Sequence, residues 1–592
     1  MTSMIKTKHM LLVAMACASL ILPGCKKQDD ASNQPAAPGA DGSGSSMNSV
    51  KPPAPRAAAS KADPASMAWI TAVAAKAPAD SDMLFALRRV DEITSLIRDI
   101  GGDQALEMMR KSPPPDAQAL MSIVLAEDFG AVGLDPAGPL SFAVNIDVER
   151  KLATNTVRVA AKDSSKALAS FRSALPPTVP VDDVNIGGRD GFFVSGTIPV
   201  MVLADESQLV IVLVSRRGSV EPLAVDDATA LATERLDVSR VLSDQPLFAD
   251  AMRLNQGGRV AAFFNLEQSS SKLAAMEEPM PSSTKDIRAI GASLNVADDG
   301  FTLSLRKSLV DESPWLKKIA APKVDMLASV PNYMMLGLRL RVDPALMLSS
   351  MRDASAASSQ AKMQMRAMED AAQRALGISL NELAAHLSGD LGLFVPSLSF
   401  ASQPPIDLVS VMGVKNEADA RGVLNSAVAQ FEVGDAEGQS PLTRKAVGGS
   451  EMLVVRQPNQ PAVASGVANG AMWIGWPEGH ISTAMSGGPE AAAAPSAAMT
   501  DALSGNHLAG LYFNATPLIA MAPMFTQGRG PDLTGIQASL EPITVVADID
   551  GNAVDSVLRI PVEMAAVRQA VRSMIRPAAP VLGAPPVDEV QP

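Results

Sequence analysis

The chain has 592 residues, a formal net charge of −13, 47% hydrophobic residues and only 4% aromatics. The acidic balance argues against nucleic acid as a partner and against a broad face for anionic membranes. With 2 cysteines, disulfides cannot carry the fold, and the length is ample for packed cores.

The first ten residues hold Lys6, Lys8 and His9 and no acid, and Met10–Leu22 follows without a charge. A basic start and an apolar run of this length form a signal-peptide pattern. A spanning helix needs about 20 apolar residues. The run ends in Leu22-Pro23-Gly24-Cys25. This resembles the lipobox of bacterial lipoproteins: Leu22, the small Gly24 and Cys25 match, while Pro23 is a less usual occupant of its position. The resemblance covers the first 25 residues only. It implies a signal peptide over 1–24, cleavage between Gly24 and Cys25, a diacylglycerol on the Cys25 sulfur and an acylated new amino group. Several acyl chains on one residue anchor stably, at about 0.8 kcal/mol per buried methylene. Lys26 stands where an Asp would retain a lipoprotein in the inner membrane, so the resemblance favours the outer membrane. Cys17 would leave with the signal peptide, as would Lys6 and Lys8, and the remaining chain would carry −15 and no free thiol.

Residues 25–65 are dominated by Pro, Ala, Gly and Ser without periodicity, the composition of a disordered tether behind the lipidated cysteine. The body then repeats itself. "MLFALRRVDEITSLI" (83–97) resembles "MLGLRLRVDPALMLSSM" (335–351), both carrying Arg-Val-Asp. "RVAAKDSSKALASFRSAL" (158–175) resembles "VMGVKNEADARGVLNSAV" (411–428), with Lys162 on Lys415. Phe264-Asn265 matches Phe513-Asn514, and Asp299-Gly300 matches Asp550-Gly551. Offsets of 249–253 in one order predict two tandem homologous domains, 66–312 and 313–576, with Trp69 and Trp315 on the lead-in to each. A second Pro-rich, disordered tail covers 577–592.

In chain order, helices are expected at 103–127, 163–175, 358–376 and 415–431, and strands at 140–146, 207–215, 301–309, 390–395 and 471–476. Apolar runs end at Asp91, Asn265, Asp343 and Asn514, which reads as helix N-caps, and Pro344 suits a first helical position. The Asp-Gly pairs predict tight hairpins. Each domain is therefore α+β, a largely antiparallel sheet with packed helices. Residues 502–528 lack charge, yet Asn514, Pro517 and Pro523 break them, so no spanning helix is expected there.

The chain carries no complete catalytic or metal-binding motif. His386, His480 and His507 lie in no metal-binding spacing, and His386 would pair with Glu382 on one helix face. Ser269-Lys272 and Ser282-Lys285 fit SxxK without its partner motifs. "GRGPDL" (528–533) lacks the third glycine of a dinucleotide loop, "DIDGN" (548–552) misplaces the glycine of a calcium loop, and Asp182-Asp183 and Asp226-Asp227 read as solvated pairs. No catalytic residue, metal or cofactor is assigned. Three functions are carried forward. The first is a non-enzymatic binding or scaffolding module held to the envelope by Cys25. The second is a carrier of a lipid or other apolar ligand between the domains. The third is a hydrolase with a carboxylate-only site. The partners expected are the membrane, through Cys25, and an envelope protein or apolar ligand. Mass spectrometry of membrane-extracted protein should find a chain that begins at Cys25 and carries acyl chains. Cys25→Ser should leave residues 1–24 attached and the lipid absent.

Overall fold

The computed structural model describes residues 64–575, apart from 112–117, 196–198, 217–223, 237–238, 256, 276–285, 312, 314–315, 317–325, 331–333, 356–358, 377, 398–405, 430–440, 457–461, 489–494, 505–506 and 527–531. The signal peptide, Gly24 and Cys25, most of the tether, Ser282-Lys285, Trp315 and the tail at 577–592 lie outside the described residues.

The first half runs α1 (Pro64–Ala74), β1 (Met83–Leu87), α2 (Glu92–Lys111), α3 (Gln118–Val124), β2 (Leu140–Asp147), β3 (Leu152–Ala160), α4 (Ser164–Ser173), β4 (Val181–Ile186), β5 (Arg189–Val194), β6 (Val200–Asp205), β7 (Gln208–Arg216), α5 (Val225–Leu236), α6 (Pro246–Ala251), β8 (Val260–Asn265), α7 (Leu266–Ala275), β9 (Ile287–Ala297) and β10 (Gly300–Leu309). The second runs α8 (Met326–Ser329), β11 (Leu336–Arg341), α9 (Pro344–Ser355), α10 (Ser359–Leu376), α11 (Leu380–His386), β12 (Leu387–Val395), β13 (Leu408–Val414), α12 (Glu417–Val428), β14 (Leu442–Val447), β15 (Ser450–Val455), β16 (Val463–Ala468), β17 (Ala471–Trp476), α13 (Glu478–Met485), α14 (Ala497–Leu503), β18 (Ala509–Phe513), α15 (Thr516–Thr526), α16 (Thr534–Ser539), β19 (Ile543–Asp550), β20 (Ala553–Pro561) and α17 (Met564–Ile575).

The chain is α+β, and its described strands form one 20-stranded antiparallel sheet. The first half joins its strands in the order β4-β5-β6-β7-β3-β2-β1-β8-β9-β10. The second half repeats that order as β14-β15-β16-β17-β13-β12-β11-β18-β19-β20. Registers correspond as well: Met83 faces Phe264 where Leu336 faces Phe513. β10 and β20 pair from Gly300 opposite Pro561 to Ser308 opposite Ala553, closing the sheet across the middle. At its centre Ser304 meets Val557, each the fifth residue of its strand. The described residues between 64 and 575 accordingly fall into one compact unit.

Local chemistry sets most element ends. Asn265 accepts from the Gln268 amide at 3.0 Å, Asp343 from Ala345 at 2.9 Å and Asn514 from Thr516 at 3.2 Å. Asp163 and Asn416 cap the corresponding helices α4 and α12 in the same way. Asp91 departs from the expectation. Arg89 takes both of its carboxylate oxygens, at 2.9 and 2.6 Å, so it does not cap α2 through its side chain. The helix expected over 103–127 is divided between α2 and α3. Both hairpins form, one step out of the expected phase. Their loop residues are Asp298-Asp299, between Ala297 and Gly300, and Gly551-Asn552, between Asp550 and Ala553. Gly551 sits at φ 61°, a conformation that favours glycine.

One sheet face carries Leu84, Ala86 and Phe263, packed with Ile70 and Phe248 in the first half. The same face in the second half carries Phe394, Val411 and Trp473. On the opposite face α4 and α12 cover the flanks with Ala167 and Phe171, and with Ala420 and Leu424. These cores come from the period-two alternation of the strands.

The seam is fastened by Arg306, whose side chain is 2% exposed. Its guanidinium reaches Asp250 at 2.8 Å, Asp550 at 3.0 Å and Asp555 at 2.7 Å. Burial pushes the Asp555 carboxyl above its usual range despite Arg306. Burial also pushes Asp250 up, but the bonds from Ser308 and Arg306 outweigh it and hold that carboxyl low. Arg306→Met would leave three carboxylates facing one another without their shared cation. It should cost roughly 3–5 kcal/mol in urea unfolding. The loss should narrow on acidification, because protonation relieves the repulsion.

Candidate functional site

A line of side chains crosses the central sheet on the face opposite Arg306. Leu87 of β1 faces Val260, which faces Leu294, which faces Leu303. Across the seam Leu303 faces Leu558, then Val545, Leu511, Leu338 and Leu393 follow, each directly opposite the last. Nine consecutive strands thus present an unbroken apolar row, about 38 Å long at the usual strand spacing. Leu87 is buried, whereas Val260, Leu294, Leu303, Leu558, Val545, Leu511, Leu338 and Leu393 are only half-buried. Neighbouring rows continue the character with Met83, Phe264 and Ile290 on one side and Leu336, Phe513 and Ile543 on the other, all half-buried, and Phe85 is exposed. The flanks of the sheet, by contrast, carry clusters of fully buried apolar side chains under α4 and α12. Apolar surface left partly open across a domain seam is the ordinary lining of a small-molecule or lipid site.

A second feature is polar and belongs to the first half. A cavity of about 510 Å³ is lined by residues that include Asp80, Glu234, Arg235, Arg240 and Gln268. The Arg235 side chain, 5% exposed, donates to both Asp80 oxygens at 3.1 Å and to Asn145 Oδ1 at 2.8 Å. Beside it Asp82, 3% exposed, accepts from Lys272 Nζ at 2.8 Å and from the Ile146 amide at 2.7 Å. The Ser269 hydroxyl lies 3.2 Å from Asp82 and 2.6 Å from the Asn265 carbonyl. Burial pushes the Asp82 carboxyl above its usual range, against the pull of Lys272.

The SxxK pair Ser269-Lys272 is therefore brought together with a carboxylate, and Lys272 is held in an ion pair rather than left as a free amine beside the hydroxyl. The second half turns the same spot apolar. The Asn265 amide donates to the Asp82 carbonyl where Asn514 donates to that of Met335. Counting from those asparagines, Ser269 and Lys272 correspond to Leu518 and Met521.

The other expected residues are separate. Glu382 does not pair with His386. It closes a capping box with Ser379, at 2.7 Å to the amide and 2.9 Å to the hydroxyl. His480 meets Asp407 at 3.1 Å, and His507 meets Asp548 at 2.8 Å. Asp182, Asp183, Asp226 and Asp227 are exposed. Among the described residues no group of three His, Cys, Asp or Glu could hold a metal ion. Nor is any described helix long and apolar enough to cross a membrane.

No family model matches the chain, and no curated protein does. Among solved structures, crystal forms IV, III and I of TP0453 match with TM-scores of 0.25, 0.24 and 0.24. They are 10–11% identical, over 40% of this chain and 79–80% of theirs. The likeness is too slight to transfer any function.

Two outcomes follow from these contacts. Lys272→Met strands the buried Asp82 carboxylate and should cost about 3 kcal/mol in denaturant unfolding. The double change Asp82→Met, Lys272→Met, which copies Met335 and Met521, should recover most of that loss. The bond from Asp548 raises the His507 pKa in the fold, outweighing burial. Its stabilisation is full below the unfolded value of about 6.5 and fades as pH rises through the native pKa. A pH series of thermal unfolding should show wild type losing its advantage over His507→Gln across that window.

Proposed function

We propose that this chain is a lipid-anchored envelope protein that holds an apolar ligand, of the acyl-chain kind, against the central face of its sheet. The observation that carries the reading is the half-buried row from Val260 through Leu303 and Leu558 to Leu393. A water-exposed row of this length would be costly at about 25 cal/mol per Å² of apolar surface, and an acyl chain laid along it removes that exposure. The lipobox resemblance at Leu22–Cys25 supports the membrane location, with the outer membrane favoured by Lys26. In this reading the chain binds and carries and makes or breaks no bonds.

We also read the two halves as copies of one domain. Equal strand order, equal registers and equal caps at Asp163 and Asn416 support it. The ligand row is then composite, since the last strand of each half, β10 and β20, sets Leu303 directly against Leu558 at its centre.

Native mass spectrometry of gently purified protein should show a co-purifying lipid-sized adduct. Leu303→Gln with Leu558→Gln should reduce that adduct at least several-fold while the fold persists. A ligand-free spectrum from wild type, with no uptake of added long-chain lipid, would sink the reading.

A further inference from the structure

The apolar face carries a cation in its middle. Side chains alternate along β10, so Leu303, Leu305 and Lys307 share the face, while Ser304, Arg306 and Ser308 point to the other. Arg306 and Ser308 bond Asp250 there. Lys307 therefore stands away from the acidic cluster, although it adjoins Arg306 in sequence. It lies opposite Ile290 on β9 and opposite Val554 on β20, both apolar and half-buried. Its ammonium has no hydrogen-bond or ion-pair partner among the described residues, and burial lowers its pKa with no neighbouring charge opposing the effect. The face positions of β9 and β20 beside it, Ala292, Leu294, Ser556 and Leu558, offer no acid. Arg288, the other cation on this face of β9, is paired with Glu267 at 3.1 Å.

A half-buried ammonium without a counter-charge is costly, and an anion brought by a ligand offsets that cost. Lys307 stands four residues from Leu303, roughly 13 Å along the strand. The intervening Leu305 is apolar and buried. Leu303 and Lys307 share one face of one strand, so an anionic head on Lys307 and a chain on the leucine row fit within one molecule. The corresponding residue of the second half, the eighth of β20, is Ile560. At this strand position the face is therefore charged on one side of the seam only. That asymmetry selects one ligand orientation.

We propose that the ligand is a single-headed amphiphile whose anionic group, a carboxylate or phosphate, sits on Lys307 with its chain along the leucine row. This rests on the apolar-ligand reading above and adds the chemistry of the head. The test titrates the purified full-length protein with three probes of equal chain length: hexadecanoic acid, hexadecyl phosphate and hexadecanol. Wild type should bind at least one anionic probe about tenfold tighter than the alcohol, the scale of one charge-assisted contact. Lys307→Met should remove that preference and leave the alcohol's affinity unchanged, so the alcohol also reports that the variant is folded. Which anionic probe gains decides between carboxylate and phosphate. Equal affinity for all three in wild type, or an undiminished preference in Lys307→Met, overturns the proposal while the apolar-ligand reading stands. Failure of every probe to bind overturns both.

Discussion

β10 and β20 lie side by side from Gly300 to Ser308 and from Pro561 to Ala553, and theirs is the only strand pairing among the described residues that joins the two halves. Without it each half would end in an open edge, with a row of unpaired amides and carbonyls. With it, two ten-strand sheets become one. The pairing also places Leu303 beside Leu558 and Arg306 beside Asp555. One face of the seam thus continues an apolar row, and the other gathers Arg306 with Asp250, Asp550 and Asp555. The buried guanidinium balances acids drawn from both halves, so the seam's polar face is as specific as its apolar face is general.

The halves share a frame but not a chemistry. The strand order and caps are common, because they follow from backbone pairing and from the free amides of first helical turns. The side chains hung on that frame diverge. Around Asp82 the first half builds a buried ion pair with Lys272 and a polar cavity with Arg235. At the same spot the second half places Met335, Leu518 and Met521. Lys307 against Ile560 is a second divergence of this kind, and it falls on the face where the ligand is proposed to lie. Two halves of equal strand order need such differences to treat one ligand in one orientation.

Much of the fold was legible in the sequence because its signals are local. The strands at 140–146, 207–215, 301–309 and 471–476 and the helix at 358–376 follow from periodicity, and all appear within a residue or two. Asn265, Asp343 and Asn514 cap as their positions suggest. Asp91 does not, because Arg89 competes for its carboxylate, and such a competition depends on side-chain geometry. β4–β6 and β14–β16 pair alike, and their first hairpins turn on matching pairs, Gly187-Gly188 and Gly448-Gly449, at positive φ, while the strands around them share little sequence. The registers there are kept by backbone bonds, which accept any side chain of the right alternation.

The sequence by itself determined the alternation that makes strands, the caps and the α+β class, all of which depend on residues a few positions apart, and it carries the marks of repetition as matched blocks at offsets of 249–253. It also carries the lipobox resemblance at Cys25, a matter of four adjacent residues. Tertiary structure alone decided which strand lies beside which. The leucine row joins residues from 87 to 558, and the Arg306 cluster joins 250 to 555. Lys307 and Arg306 are neighbours in the chain and opposites in the fold, because a strand turns successive side chains to opposite faces. Whether such a residue meets three carboxylates or an open apolar surface depends on what the seam brings to each side.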